Sequence, residues 1–338
     1  MFHSPYVRKP ASVQRVMGLV LIALLPGIAA YVWQIGAGVL VNLAIATLTA
    51  VATEALILRL RARPVALAIG DLSAVVTAWL VTLCFPPIVP WWLTVSGVLV
   101  AIVAVKHLYG GLGQNPFNPA MAAYCTMIVA FPALMAQWPA AGQVPFDTQL
   151  DLILGGAREL DGMTGATALD ALRTGLRGGN ASVASVLQDS AFGIIGGRGW
   201  EWISIGYIAG GLFLLATRVI TWHMPVAFIG ALTLISTVFW LHDPASFASP
   251  LFHLATGGAM LAAFFIVTDP ITGATTPRGK LIFAAGIAII AWLIRTFGAY
   301  PEGIAFAVLL MNICVPLIDM KTQPDVFGHR KRSRGGSS

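Results

Sequence analysis

Ten apolar runs occupy most of this chain and leave it few ways to fold. They read as 16–34, 37–58, 65–85, 89–106, 119–137, 202–219, 223–241, 250–267, 281–297 and 302–319. A helix crosses a bilayer core in about 20 apolar residues, and backbone inside hydrocarbon must satisfy its own hydrogen bonds. Runs of this length therefore predict transmembrane helices. The expected fold is an all-α polytopic membrane protein of about ten transmembrane helices. Charged residues make up only 10% of the sequence, against about 25% in a soluble domain. Mean hydropathy is +0.82. The net charge of +6 does not point to nucleic acid, because the Lys and Arg are spread over the loops and ends that flank the runs, where they set orientation. Cys84, Cys125 and Cys314 all fall in apolar segments without a close pair. They suggest neither a disulfide framework nor a metal site within this chain, although they could join ligands from another protein of a complex.

Loop charge sets the expected topology. Arg8, Lys9 and Arg15 precede the first run, which imitates a signal peptide; with nine spans following, it reads as an uncleaved anchor. With the N-terminus in the cytoplasm, 15 of the 20 basic residues fall on the inner side, and both termini face inward. Five spans lie on each side of one long polar segment, so the second half is inverted relative to the first. The expected units are a first membrane half 1–137, an extracytoplasmic domain 138–200, a second membrane half 201–320 and a basic cytoplasmic tail 321–338. Short helices are expected near 148–154, 167–175 and 181–189, and the tail is expected to be disordered.

The long polar segment carries Asp161-Gly162-Met163-Thr164-Gly165-Ala166-Thr167, followed by Ala168-Leu169-Asp170-Ala171-Leu172-Arg173. Gly165 and Ala166 leave the backbone uncrowded ahead of the Thr167 hydroxyl. Thr167 suits an N-cap, and Asp170 stands where the acidic partner of a capping box would. A helix start collects free N–H groups that stabilise a phosphate. On residue chemistry alone the favoured reading is a capped surface helix and nothing more. The pattern recurs at Asp269-Pro270-Ile271-Thr272-Gly273-Ala274-Thr275, beside Arg278 and Lys280 on the inner side.

Three further groups stand out. Gly110-Gly111-Leu112-Gly113-Gln114-Asn115-Pro116-Phe117-Asn118-Pro119-Ala120 specifies an irregular turning backbone between the fourth and fifth spans. Asn115 and Asn118 offer donors and acceptors that suit a flavin ring edge, or else a turn and a helix cap. Asp269 closes the eighth run at the inner boundary and is a functional candidate there; Asp71, early in the third run, is comparable. Glu54 reads as snorkelling towards the inner loop or pairing with an Arg there. Tyr300-Pro301-Glu302-Gly303, Asn312 and Pro316-Leu317-Ile318-Asp319 read mainly as helix-start and helix-end signals. Trp91, Trp92, Trp138, Trp200 and Trp202 are expected to mark interfaces.

On these motifs the chain resembles the RnfD component of the Rnf complex, the ion-translocating electron-transport complex between ferredoxin and NAD. More distantly it resembles the B component of the sodium-pumping NADH:quinone reductase. Asp161, Thr164, Gly165, Ala166 and Thr167 are similar to the flavinylation motif of that family. The resemblance implies FMN bound through a phosphodiester to Thr167, attached by a flavin transferase. Topology favours Thr167 over Thr275, because the transferase works on the outer side. The resemblance also implies a second, non-covalent flavin, riboflavin, near Asn115, Asn118 and Asp269. The implied partners are other Rnf-type membrane and peripheral subunits, including a second flavin carrier, with membrane lipid and no nucleic acid. NAD and ferredoxin would bind those other subunits. The implied function is electron transfer coupled to Na⁺ or H⁺ translocation in the bacterial cytoplasmic membrane. No catalytic residue and no metal ligand is expected in this chain. The competing class is a non-redox permease or channel of the same inverted architecture, which accounts for the spans but not for the polar motif.

Overall fold

The computed structural model describes residues 12–142, 144–155, 164–177, 182–189 and 191–324. Most of the basic tail, from residue 325 on, lies outside the described residues. The described residues are mostly helical, and among them five helices are long and apolar enough to cross a membrane. These are Val13–Gln34, Gly38–Leu60, His223–His242, Pro277–Phe297 and Ile304–Thr322, the first, second, seventh, ninth and tenth spans. The other spans are shorter or interrupted. The fourth starts as Trp91–Leu99 and continues as a π-helix, Val100–His107. The fifth, Pro119–Ala130, starts where Asn118 Oδ1 accepts from the N–H groups of Ala120 and Met121 and Pro119 takes the first helical position. The sixth is Trp200–Ala216.

The third and eighth runs, expected as single helices, are both broken. The third consists of Val65–Ile69 and Ser73–Cys84. In the break, Leu72 is left-handed, with φ of 62°, and Asp71 Oδ1 accepts from Ser73 N–H at 2.7 Å. Asp71 thus caps the longer segment rather than lying within a helix. The eighth consists of Pro250–Ala255 and then Ala259–Leu261 running into a π-helix, Ala262–Ile266. Gly257 and Gly258 carry the break at φ of 62° and 66°, values that glycine adopts without strain. The two breaks hold the same place in their halves and lie early in spans of opposite direction. Inverted halves require that placement.

Packing follows the same symmetry. The first span lies along the sixth; the second packs on the third and fourth, as the seventh does on the eighth and ninth. The fifth and tenth meet across the halves. Where the first and sixth spans cross, Gly206 faces the Pro26 carbonyl and Gly27, and a Cβ on Gly210 would collide with the Ala23 carbonyl. Small residues let these backbones touch, as close helix pairs in membranes need.

The loop domain rests on this frame. Trp138–Pro139 pairs antiparallel with Thr164–Gly165, and the helices are Phe146–Leu154, Ala168–Arg177 and Val183–Val186, close to expectation. Buried Gln149 docks the domain: its Nε2 donates to the Ile35 and Val144 carbonyls, and its Oε1 accepts from Gly38 N–H at 2.8 Å. Ala168, Leu169 and Leu172 pack with Val183, Phe192, Ala248 and Phe252 in a small separate core.

The glycine seam is testable. Gly210→Val forces the first and sixth spans apart and is expected to cost at least 1–3 kcal/mol, roughly the range for overpacking. Gly230 is open, with no atom within 4 Å of an added Cβ, so Gly230→Ala is expected to leave stability unchanged or slightly higher. Thermal unfolding of the detergent-purified protein checks both, and equal melting of Gly210→Val and wild type would contradict the seam.

Candidate functional site

Two cavities lie along the third, fifth and eighth spans, one towards each membrane face. The larger, about 290 Å³, opens on the loop-domain side. Its wall includes Thr167, Trp138, Trp200, Tyr124, Glu302 and the break at Gly257 and Gly258. Small-molecule sites run from roughly 300 Å³ upward and are mainly apolar and aromatic, so this cavity is at the lower edge of that range. Trp138 and Trp200 therefore line a cavity, whereas Trp91, Trp92 and Trp202 are exposed as expected of interface residues.

Local structure holds Thr167 at the cavity wall. The strand Thr164–Gly165 sets the chain direction, and the apolar face of Ala168–Arg177 is pinned by its core. Thr167 Oγ1 accepts from Asp170 N–H at 3.3 Å, and the Thr167 carbonyl accepts from Ala171 N–H at 2.8 Å. The hydroxyl thus sits at the start of a ten-residue helix, where a phosphate ester would meet backbone N–H groups. The reciprocal bond of a full capping box, from Thr167 N–H to the Asp170 carboxylate, is not formed. Gly165 and Ala166 are exposed and leave the approach to Thr167 open. Asp161 lies outside the described residues. The hydroxyl, the helix start and the aromatic cavity together fit a phosphodiester-linked flavin.

Thr275, in the repeated motif, is differently placed. Its N–H donates to Asp319 Oδ1 at 3.0 Å, and its hydroxyl donates to Asp319 Oδ2 at 2.9 Å. The carboxylate that reads as a helix-end signal thereby fastens the second motif to the tenth span.

The smaller cavity, about 120 Å³, is lined by Asn115, Asn118 and Asp269 together. Each asparagine commits one side-chain atom to local structure and leaves the other open. Asn115 Nδ2 donates to the Phe117 carbonyl at 3.0 Å, leaving Oδ1; Asn118 Oδ1 caps the fifth span, leaving Nδ2. Asp269 Oδ2 accepts from the Thr272 hydroxyl at 2.7 Å. One donor and two acceptors suit a flavin edge, and the helix-cap reading of Asn118 is true as well. The volume holds a ring edge, not a whole flavin. Asn312 ties the two loops: its Nδ2 donates to the Thr272 carbonyl and its Oδ1 accepts from Asn118 N–H. Nothing in the sequence signals that role, since its partners are 40 and 194 residues away.

Glu54 is buried and pairs with Lys106 rather than with an arginine. The Lys106 ammonium lies 2.7 Å from Glu54 Oε1 and donates to Ser73 Oγ at 2.8 Å, and Lys106 also lines the smaller cavity. His107 Nε2 lies 3.4 Å from the same Glu54 oxygen, while Arg61 turns to the His107 carbonyl. The pairing reverses the snorkelling expectation, because the π-helical turn of the fourth span carries Lys106 inward to meet the second. Glu302 accepts from Arg295, which also donates to the His253 and Gly257 carbonyls. Among the described residues no group of His, Cys, Asp and Glu could hold a metal ion, and the three cysteines are free.

The fold and its cavities define a polytopic membrane protein with a small-molecule-sized chamber on one side and a polar pocket on the other. Sequence comparison places it further. The model of the NQR2, RnfD, RnfE family matches residues 1–328. The chain is 46% identical over 345 residues to a protein of Escherichia fergusonii named as the D component of an ion-translocating oxidoreductase complex, covering 97% of this chain and 98% of that protein. Proteins of the same name from Erwinia tasmaniensis and Klebsiella pneumoniae are each 46% identical over 344 residues. The chain belongs to the NQR2, RnfD, RnfE family.

The buried pair yields a stability prediction. Glu54→Gln strands the Lys106 charge and is expected to cost about 3–5 kcal/mol. The double variant Glu54→Leu, Lys106→Met is expected to recover most of that loss in thermal unfolding. Single and double variants of equal stability would contradict the pairing.

Proposed function

We propose that this chain is a flavin-carrying, electron-transferring membrane subunit of an ion-translocating ferredoxin:NAD oxidoreductase complex. The observation that carries this reading is Thr167. Its hydroxyl is held at a helix start on the wall of the larger cavity, whereas the hydroxyl of its twin, Thr275, is engaged by Asp319. Family membership supports it, since the named relatives are components of an ion-translocating oxidoreductase complex. A flavin transferase would attach FMN to Thr167, with other subunits, one of them a second flavin carrier, supplying and removing electrons. Bound flavins would supply the redox chemistry; the protein fixes their position and electrostatics.

The residues divide the work. Thr167 would carry the covalent FMN, and the N–H groups at the start of its helix would face the phosphate. Asn115, Asn118 and Asp269 would orient a second flavin, riboflavin, on the opposite side. The third, fifth and eighth spans line both cavities, which supports passage from one to the other. Leu261 and Ile266 of the eighth span face the larger cavity, and Phe264 and Phe265 the smaller. Negative charge arriving near Asp269 is opposed by its carboxylate. Two like charges ~5 Å apart at an effective dielectric near 20 repel by roughly 3 kcal/mol. Entry of Na⁺ or H⁺ would offset that repulsion and tie electron arrival to cation uptake.

Flavin content tests the assignment. Thr167→Ala is expected to abolish the ultraviolet-fluorescent band of the denatured protein, and Thr275→Ala to leave it. Asn115→Leu with Asn118→Leu is expected to keep that band and lose non-covalent flavin. Asp269→Asn is expected to keep the covalent flavin and lose cation-dependent electron transfer. A band that persists in Thr167→Ala overturns the attachment, and a wild type without any band favours a permease. Both termini are proposed to face the cytoplasm of a bacterial inner membrane. Ala184, exposed in the loop domain, is the probe: Ala184→Cys is expected to react with an impermeant thiol reagent in intact cells, and reaction only after membrane opening would reverse the orientation.

A further inference from the structure

The helix Ala168–Arg177 separates two cavities. Thr167 lines one; on the other side Arg173 and Arg177 line a third cavity of about 230 Å³, with Leu169 common to both walls. Arg295 and His253 also line the third cavity, and among the described residues no carboxylate does. Arg295 is neutralised by Glu302. Arg177 is exposed and spends one N–H on the Gly298 carbonyl at 3.3 Å. The Nε of Arg173 is buried without a hydrogen-bond partner. Among the described residues neither Arg173 nor Arg177 forms an ion pair. Burial and the adjacent Arg177 hold the Arg173 guanidinium below its ordinary pKa, against the opposing pull of Asp170.

The remaining wall is mainly apolar, with Ser246 and Thr296 its polar members. Phe247 and Phe297 line the same cavity, and Phe297, which closes the ninth span, is 61% exposed. Trp240 and Leu241, at the end of the seventh span on the same side, are exposed too. Aromatic residues at the end of apolar spans mark the level of lipid headgroups. Two guanidinium groups four residues apart on one helix face can bracket a phosphate with paired N–H bonds.

We propose that this cavity binds the phosphodiester headgroup of an anionic phospholipid, with Arg173 and Arg177 on the phosphate and Phe247 and Phe297 against the start of the acyl chains. A free phosphate shares the first contact and lacks the second. A lipid seated there steadies the helix that presents Thr167.

The test uses the full chain in its complex, purified in detergent and titrated with phosphatidylglycerol, phosphatidylcholine or inorganic phosphate while melting temperature is followed. Phosphatidylglycerol is expected to raise the melting temperature of the wild type; phosphatidylcholine and inorganic phosphate are not. Each arginine removed is expected to weaken the lipid titration roughly fivefold. Arg173→Gln with Arg177→Gln thus shifts it on the order of 25-fold, and Arg173→Lys with Arg177→Lys, which keeps the charges but not the paired N–H bonds, is expected to fall between it and the wild type. If the double Gln variant fails to assemble, Phe297→Ala is titrated instead and is expected to bind phosphatidylglycerol more weakly. An unshifted titration in the variant, or an equal response to inorganic phosphate or phosphatidylcholine, would overturn the proposal.

Discussion

Backbone that leaves the helical path inside a membrane must find its hydrogen-bond partners within the protein. Arg295 meets that demand for the eighth span. From the ninth span its guanidinium reaches the His253 carbonyl at 3.0 Å and the Gly257 carbonyl at 3.2 Å, while Glu302 holds its charge at 3.0 Å. Glu302 in turn accepts from the N–H groups of Gly303 and Ile304, starting the tenth span. One guanidinium thus joins three spans and fixes the break that helps to line the larger cavity. Without it, opening the eighth span would strand carbonyls in hydrocarbon, each at a cost of several kcal/mol.

The third span answers the same demand locally, with Asp71 capping the helix that starts at Ser73. Near that break Lys106 joins Glu54 and Ser73 and reaches the smaller cavity. Each broken span therefore borders a cavity and has a buried cation beside it, Lys106 in one half and Arg295 in the other. The inverted arrangement makes the two faces similar in architecture. The loop domain makes them different, by adding Thr167 and the two tryptophans to one side only.

The helical spans were legible because hydrocarbon leaves the chain few choices. Thr167 at a helix start and Asn118 at a cap were legible because capping depends on neighbours in sequence. The breaks were not: Gly70-Asp71-Leu72 and Thr256-Gly257-Gly258 interrupt apolar runs too briefly to change their period. Pairs such as Glu54 with Lys106, or Asn118 with Asn312, were hidden because they depend on how the spans pack. The three residues expected at one flavin edge do share a cavity, through the convergence of loops from inverted halves.

Thr167 as the bearer of a covalent flavin is the central claim, and peptide mass tests it without reference to activity. The protein is to be purified from its native membrane, digested, and the fragment containing Thr167 weighed beside the one containing Thr275. The Thr167 fragment is expected to be heavier by FMN less one water, and the Thr275 fragment to have its unmodified mass. An unmodified Thr167 fragment, or FMN on Thr275, would contradict the claim.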